Sequence, residues 1–265
     1  MKSPRQALGG GARRPAPAVI LRSEREVGLL REAGRVTARV LQALQQMAVP
    51  GMTTGDLDAA AERLIREAGG VPTFKGYRGF PAATCMSVND EVVHGIPGQR
   101  RLEAGDIVSC DVGVTLEGYI GDSACTIALP PVAAETRRLL DVTQEALAAG
   151  IAAARPGGRV GDISAAVQQV VEAAGFSVVR QFCGHGVGTS MHEEPQVPNY
   201  GSAGRGPRLL PGLVIAIEPM VNTGGHDVVV ERNGWTVRTV DGGRSAHFEH
   251  TVAVTETGAA VLTLP

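Results

Sequence analysis

The chain has 265 residues, 43% of them hydrophobic, with 25 basic against 27 acidic side chains for a net charge of −2. That length supplies a sizeable core, and the charge balance excludes nucleic acid as a main partner. The longest apolar stretch, Leu209 to Val221, is interrupted by Pro211, Glu218 and Pro219, so no run approaches the roughly 20 residues that span a bilayer.

Residues 1–18, MKSPRQALGGGARRPAPA, have no apolar h-region and do not read as a signal peptide. Glycine, proline and arginine build no core, so this segment is expected to be a disordered basic tail, with ribosome or RNA contact as its candidate role. Residues 19–265 are expected to form one catalytic domain. Cys85, Cys110, Cys125 and Cys183 make no CxxC pair. They read as small buried hydrophobes, reduced in a cytoplasmic protein.

Two helices come first. Val27, Leu30, Val36, Val40 and Leu44 recur at helical spacing between about Ser23 and Met47. VPGMTTGDLDAAAERLIREAGG (Val49–Gly70) then reads as a Pro-Gly loop, a capped helix and a glycine stop. PTFKGYRGF gathers Phe74, Tyr77 and Phe80 in a chain that is only 3% aromatic. Ile107 to Leu129 reads as two strands around a turn at Leu116-Glu117-Gly118. A third helix is expected from about Ala133 to Ala154, and a fourth within Arg155–Phe176, RPGGRVGDISAAVQQVVEAAGF.

The second and fourth helical segments match at an offset of 106: Pro50 with Pro156, Gly51 with Gly157, Gly55-Asp56 with Gly161-Asp162. GDIVSCD (Gly105–Asp111) matches GLVIAIE (Gly212–Glu218) at an offset of 107. A helix and a strand repeating at nearly one offset imply two related α+β halves around a pseudo-twofold axis.

Each half places two acids among apolar strand residues: Asp111 and Asp122 in the first, Glu218 and Glu249 in the second. In a hairpin, Asp111 and Asp122 lie nearly opposite on one face, where like charges repel. Buried carboxylates are costly unless paired or bound to metal. A solvated strand end is the alternative for any one acid; four in a symmetric arrangement favour a cation. Four carboxylates with one imidazole suit two divalent ions about 3.5–4 Å apart. His185, between glycines in CGHGVGTSMHEEP, is the candidate nitrogen ligand. His192, seven positions on, is expected to face substrate, and Glu193-Glu194 to form a solvated or capping loop pair. His247 is a candidate to stand behind Glu249. His226 and His250 carry no assigned role.

SVNDEVVHGIP, DIVSCDVGVTLEGYIGDSACT, CGHGVGTSMHEEPQVPNYG, PGLVIAIEP, NGWTV and SAHFEHT together resemble the type I methionine aminopeptidases of bacteria, from about Ile20 to Leu264. The resemblance implies the pita-bread fold: α+β, two pseudo-symmetric halves, each with an antiparallel sheet and two helices. It implies that Asp111, Asp122, His185, Glu218 and Glu249 hold two divalent ions (Mn, Fe, Co, Zn or Ni), with Asp122 and Glu249 bridging. Glu218 is then also the general base, His94 lies beside the scissile amide, and His192 meets the substrate carbonyl. Phe74, Tyr77, Phe80, Met191 and Trp235 line the methionine pocket. Relatives differ at Phe74 and Met191, which bears on pocket shape rather than on chemistry. The implied activity is removal of the initiator methionine from nascent chains with a small second residue, by a cytoplasmic monomer. Two other readings stand beside it. One is a proline-directed aminopeptidase on the same fold, a class that usually carries a large N-terminal domain. The other is a non-catalytic binding protein on that fold, a class that typically lacks ligands present here.

Overall fold

Ser23 starts the first helix. Its Oγ accepts from the N–H of Glu26, and Glu26 Oε2 accepts from the N–H of Ser23 at 2.8 Å, a reciprocal capping box. From there α1 (Glu24–Met47) and α2 (Thr54–Glu67) lead into β1 (Val71–Pro72), β2 (Thr84–Val88), β3 (Glu91–Val93), β4 (Ile107–Leu116) and β5 (Tyr119–Ala128). The second half opens with α3 (Ala134–Ala153) and α4 (Val160–Ala173). It continues through β6 (Ser177–Val178), β7 (Gly184–Gly186), β8 (Glu193–Val197), β9 (Val214–Ile217) and β10 (Met220–Asn222). The remaining strands are β11 (Val228–Val230), β12 (Val237–Thr239), β13 (Ser245–His247), β14 (Glu249–Val254) and β15 (Ala259–Val261). These coordinates are a computed structural model that describes residues 19–265; the tail expected over residues 1–18 lies outside them.

The repeat holds in three dimensions. α2 and α4 have 14 residues each and start at positions 54 and 160, the offset of 106 seen in the sequence. Asp56 accepts from the Thr53 N–H at 3.0 Å, and Asp162 from the Arg159 N–H at 2.7 Å, so each acid caps its own helix. The preceding turns also match, with Gly51 at φ 94° and Gly157 at φ 83°, a region costly for residues with a Cβ.

The sheets of the two halves are continuous. One nine-stranded sheet runs β1-β4-β5-β14-β9-β7-β8, with β2 added on β4 and β15 on β14. Its seam is the short β5–β14 pairing, where Glu249 faces Ala124 and His250 faces Ser123. Side chains reinforce it: Ser123 Oγ donates to the Glu249 carbonyl at 2.6 Å, and Thr251 Oγ1 to that of Asp122 at 2.7 Å. Two three-stranded sheets, β13-β10-β6 and β11-β12-β3, complete the described residues.

The helices bury their apolar faces against one side of the large sheet. Leu44, Leu57, Ile65, Leu139, Ile163 and Val167 share a core with Met86, Ile107, Ile215, Ile217 and Val252. α1 approaches β5 without a spacer: a Cβ on Gly121 would stand 2.5 Å from the Gly34 nitrogen. Thr37 Oγ1 adds a bond to the Gly121 carbonyl at 3.0 Å. The strand residue next to Asp122 is thereby pinned from behind.

Candidate functional site

The β4–β5 hairpin turns through Glu117 (φ 49°) and Gly118 (φ 80°), the double positive φ of a two-residue hairpin turn that matches strand twist. That turn fixes the register. Asp111 faces Ala124 and Asp122 faces Gly113, so the two acids are diagonal neighbours on one face rather than a directly opposed pair. Glu249 faces Ala124 from the other side. Three carboxylates therefore surround one small residue. Glu218 lies just past the end of β9 rather than inside a strand, because Pro219 breaks the run and the chain re-enters another sheet as β10.

His185 enters from β7. Its Nδ1 bonds the Gly186 carbonyl at 2.9 Å. A carbonyl only accepts, so in the neutral ring Nδ1 carries the proton and Nε2 presents a lone pair. That lone pair points at Asp122 Oδ2 and Glu218 Oε1, each 3.6 Å away. Acceptors of like sign converge with no donor between them. Asp111 Oδ1, Asp122 Oδ1 and Glu249 Oε1 are buried without a hydrogen-bond partner. A divalent cation fits this donor set. Ligating atoms of Asp122, His185 and Glu249 lie within 4.8 Å of one another.

Burial dominates the protonation of these acids. It pushes Asp111 up to about 7, against the pull of His247. Asp122 and Glu249 are raised well above the carboxylate range by burial, then by their neighbouring acids.

The same cavity, about 160 Å³, continues into an apolar end. Phe74, Tyr77, Phe80, Met191 and Trp235 line it, together with His94, His192 and all five residues of the acid–histidine cluster. Every site residue expected from the sequence is thus in one cavity. His94, at φ 59°, sets its ring edge-on to Phe182 and Trp235, and burial lowers its pKa. The His192 residue is exposed, but its ring lies against Tyr77 and His185, and that partial burial pushes its pKa down to about 4. A larger opening of about 520 Å³, between α1 and α3, holds none of the acids; the chemistry selects the smaller one.

Residues 28–256 match the model of metallopeptidase family M24. The chain belongs to family M24. It is 51% identical to methionine aminopeptidase 1 of Bacillus subtilis, over 92% of this chain and 99% of that one. It is 47% identical to a methionine aminopeptidase of Clostridium acetobutylicum, over 93% and 99%. Among solved structures it resembles the methionine aminopeptidase of Thermotoga maritima, with TM-score 0.92 and 43% identity over 94% of this chain and all of that one. The Pyrococcus furiosus prolidase, at 22% identity and TM-score 0.75 over 93% of this chain and 66% of that one, shares the fold.

This M24 peptidase adds two cavity residues that the sequence reading did not select, Cys85 and Arg78. Cys85 faces Asp111 in the β2–β4 register, a relation that only the strand pairing reveals. Arg78 sits within PTFKGYRGF, so the aromatic cluster was its signal. Three further expectations are refined. Glu193 and Glu194 open β8 rather than lying in a loop, and of the two expected roles Glu193 takes the capping one: its Oε1 accepts from the Thr189 and Ser190 N–H groups, and the side chain forms a buried ion pair with Arg22 at 2.5 Å. Cys183 is half-buried, unlike the other three cysteines. His247 stands behind Glu218, with Nε2 3.5 Å from Oε2.

Proposed function

We propose that this M24 peptidase removes the N-terminal methionine from polypeptides whose second residue is small. One observation carries the reading: a single cavity joins an apolar end to the acid–histidine cluster. Sites for drug-sized ligands measure about 300–1,000 Å³, so about 160 Å³ suits one side chain. Phe74, Phe80, Met191 and Trp235 suit an unbranched apolar one, and sulfur packs well against aromatic edges. The relatives named as methionine aminopeptidases support the same substrate.

In this reading Asp111, Asp122, His185, Glu218 and Glu249 would hold two divalent ions from the set Mn, Fe, Co, Zn and Ni, with Asp122 and Glu249 placed centrally among the five. Such ions supply Lewis acidity and make a water acidic enough to lose a proton near neutral pH. Glu218 takes the proton of the attacking water. His192, kept neutral by its depressed pKa, donates an N–H to the scissile carbonyl as negative charge grows there. His94 lies beside the scissile amide. The free α-amine of the substrate reaches the acidic end only when methionine is the first residue, which limits cleavage to chain ends. The reading includes a monomer acting in the cytoplasm on nascent chains; the ribosome contact assigned to residues 1–18 falls outside the described residues.

The test is release of free methionine from a Met-Ala peptide in defined Mn, Co or Fe, beside Ala-Pro and Met-Pro peptides. Rapid release from Met-Ala with the proline peptides intact is expected. Cleavage of a proline peptide alone moves the reaction to the proline-directed class. No cleavage with any metal removes the enzymatic reading.

A further inference from the structure

The turn between β7 and β8 carries Met191 and His192, two residues of the cavity. Its own backbone does little to fix it: Gly188 donates to the Ser190 carbonyl at 3.2 Å and accepts from Ile120 at 2.9 Å. Glu193 does more. Its Oε1 accepts from the backbone N–H groups of Thr189 and Ser190, both at 3.1 Å. Both its oxygens also accept from Arg22 Nη2, at 2.6 and 2.5 Å. The two side chains are only 6% and 9% exposed, so solvent does not weaken the pair as it does on a surface.

Arg22 itself is anchored elsewhere. Its N–H donates to the Gly212 carbonyl at 2.7 Å, and Leu21 bridges Leu213, at the start of β9. The segment before α1 thus ties the β9 strand to the turn that carries His192. Gly188 closes the arrangement. A Cβ there would fall within the Arg22 guanidinium and 2.8 Å from Glu193 Oε1.

We propose that Arg22 is a positioning residue for the reaction: through Glu193 it fixes the turn that seats Met191 and His192. Arg22 does not line the cavity, so it acts on the substrate only through that turn. The inference rests on the reading above, in which His192 meets the scissile carbonyl and Met191 the methionine side chain.

The test uses Arg22→Ala, Arg22→Lys, Gly188→Ala and the double variant Arg22→Ala/Gly188→Ala in the full chain. Four quantities are measured: kcat and KM on Met-Ala-Ser, free-methionine affinity by calorimetry, divalent-metal affinity, and Tm. Displacement of a catalytic group by about 1 Å costs up to roughly 100-fold. Arg22→Ala and Gly188→Ala are each expected to lower kcat about 10- to 100-fold and to weaken methionine binding. Metal affinity is expected to change much less than kcat, because the four acids lie on β4, β5, β14 and just past β9, away from the turn, and only His185 is next to it. Lysine at position 22 restores part of kcat. The double variant is no worse than either single one, because alanine at 22 vacates the space that a methyl at 188 needs.

Full kcat and methionine affinity in Arg22→Ala overturn the proposal. So do additive losses in the double variant, or a loss of metal affinity that parallels the loss of kcat. Wild-type protein that binds methionine but leaves Met-Ala-Ser uncut overturns the hydrolytic reading instead, and the methionine affinities of the variants still decide the role of Arg22.

Discussion

Tyr77 Oη lies 2.9 Å from His192 Nδ1, and the two rings stack with centroids 5.5 Å apart. A phenol that donates to Nδ1 places the imidazole proton on Nε2, the tautomer able to donate to a substrate carbonyl. Tyr77→Phe keeps the apolar wall and removes that control. A lost hydrogen bond of about 1 kcal/mol corresponds to roughly a fivefold lower kcat with little change in KM. His192→Ala is expected to lower kcat further, again more than it changes KM. Steady-state kinetics on Met-Ala-Ser check both; a change confined to KM contradicts the assignment.

Asp111 has one buried oxygen without a hydrogen-bond partner and faces the cluster across Ala124. Asp111→Asn keeps the shape and removes the charge. Activity should fall by about 100-fold or more, since even residues behind metal ligands cost 10- to 100-fold, while circular dichroism stays native. Chelation should lower Tm as well. Metal at 100 times its dissociation constant stabilises by about 2.7 kcal/mol, or roughly 5–10 °C in a domain of this size. A Tm indifferent to chelator and to added Mn or Co speaks against a cation at this cluster.

These acids were legible because each stands beside or within an apolar run of the sequence, and the repeat was legible because α2 and α4 keep one offset. What was not legible depends on register and on distant pairing. Cys85 reaches the cavity through its pairing with Asp111, which its own sequence neighbourhood does not encode. Arg22 and Glu193 are 171 residues apart, and nothing local marks either as buried. His247 escaped a firm assignment because β13 ends there and β14 begins at Glu249, so strand alternation does not carry across Phe248.

Asp56 and Asp162 give the fold a predictable acid limb. Hydrogen bonds from Thr53 lower the Asp56 pKa, and the backbone N–H groups of Gly204 and Arg159 lower that of Asp162. A folded-state pKa below the unfolded one means that the stabilisation is complete above the unfolded value, about 3.9. It is lost as pH falls through the folded value. Asp56→Ala/Asp162→Ala should therefore lower Tm at pH 7, with the gap to wild type closing below about pH 4. Thermal melts from pH 7 to 3 check this; a constant gap assigns the loss to helix propensity instead.

Gly113 is opposite Asp122 in the hairpin, and Phe74 packs directly over it: a Cβ there would stand 2.6 Å from Phe74 Cε1. Its φ is not in the left-handed region, so alanine meets no backbone strain. The obstacle is the ring, which is buried and must move. Phe74 lines a cavity of only about 160 Å³, so a small shift of the ring narrows the space for the first side chain of the substrate. Gly113→Ala should raise KM for Met-Ala peptides while metal affinity and kcat change less. A loss of about 1–3 kcal/mol, the usual scale for overpacking, corresponds to roughly 5- to 150-fold in kcat/KM. Phe74→Leu on the same background makes room for the added methyl and should recover part of it. Kinetics on Met-Ala and on a peptide beginning with a shorter side chain separate the outcomes: relative activity toward the shorter residue should rise in Gly113→Ala. Equal losses on both peptides place the damage in the Asp122 strand rather than in the pocket.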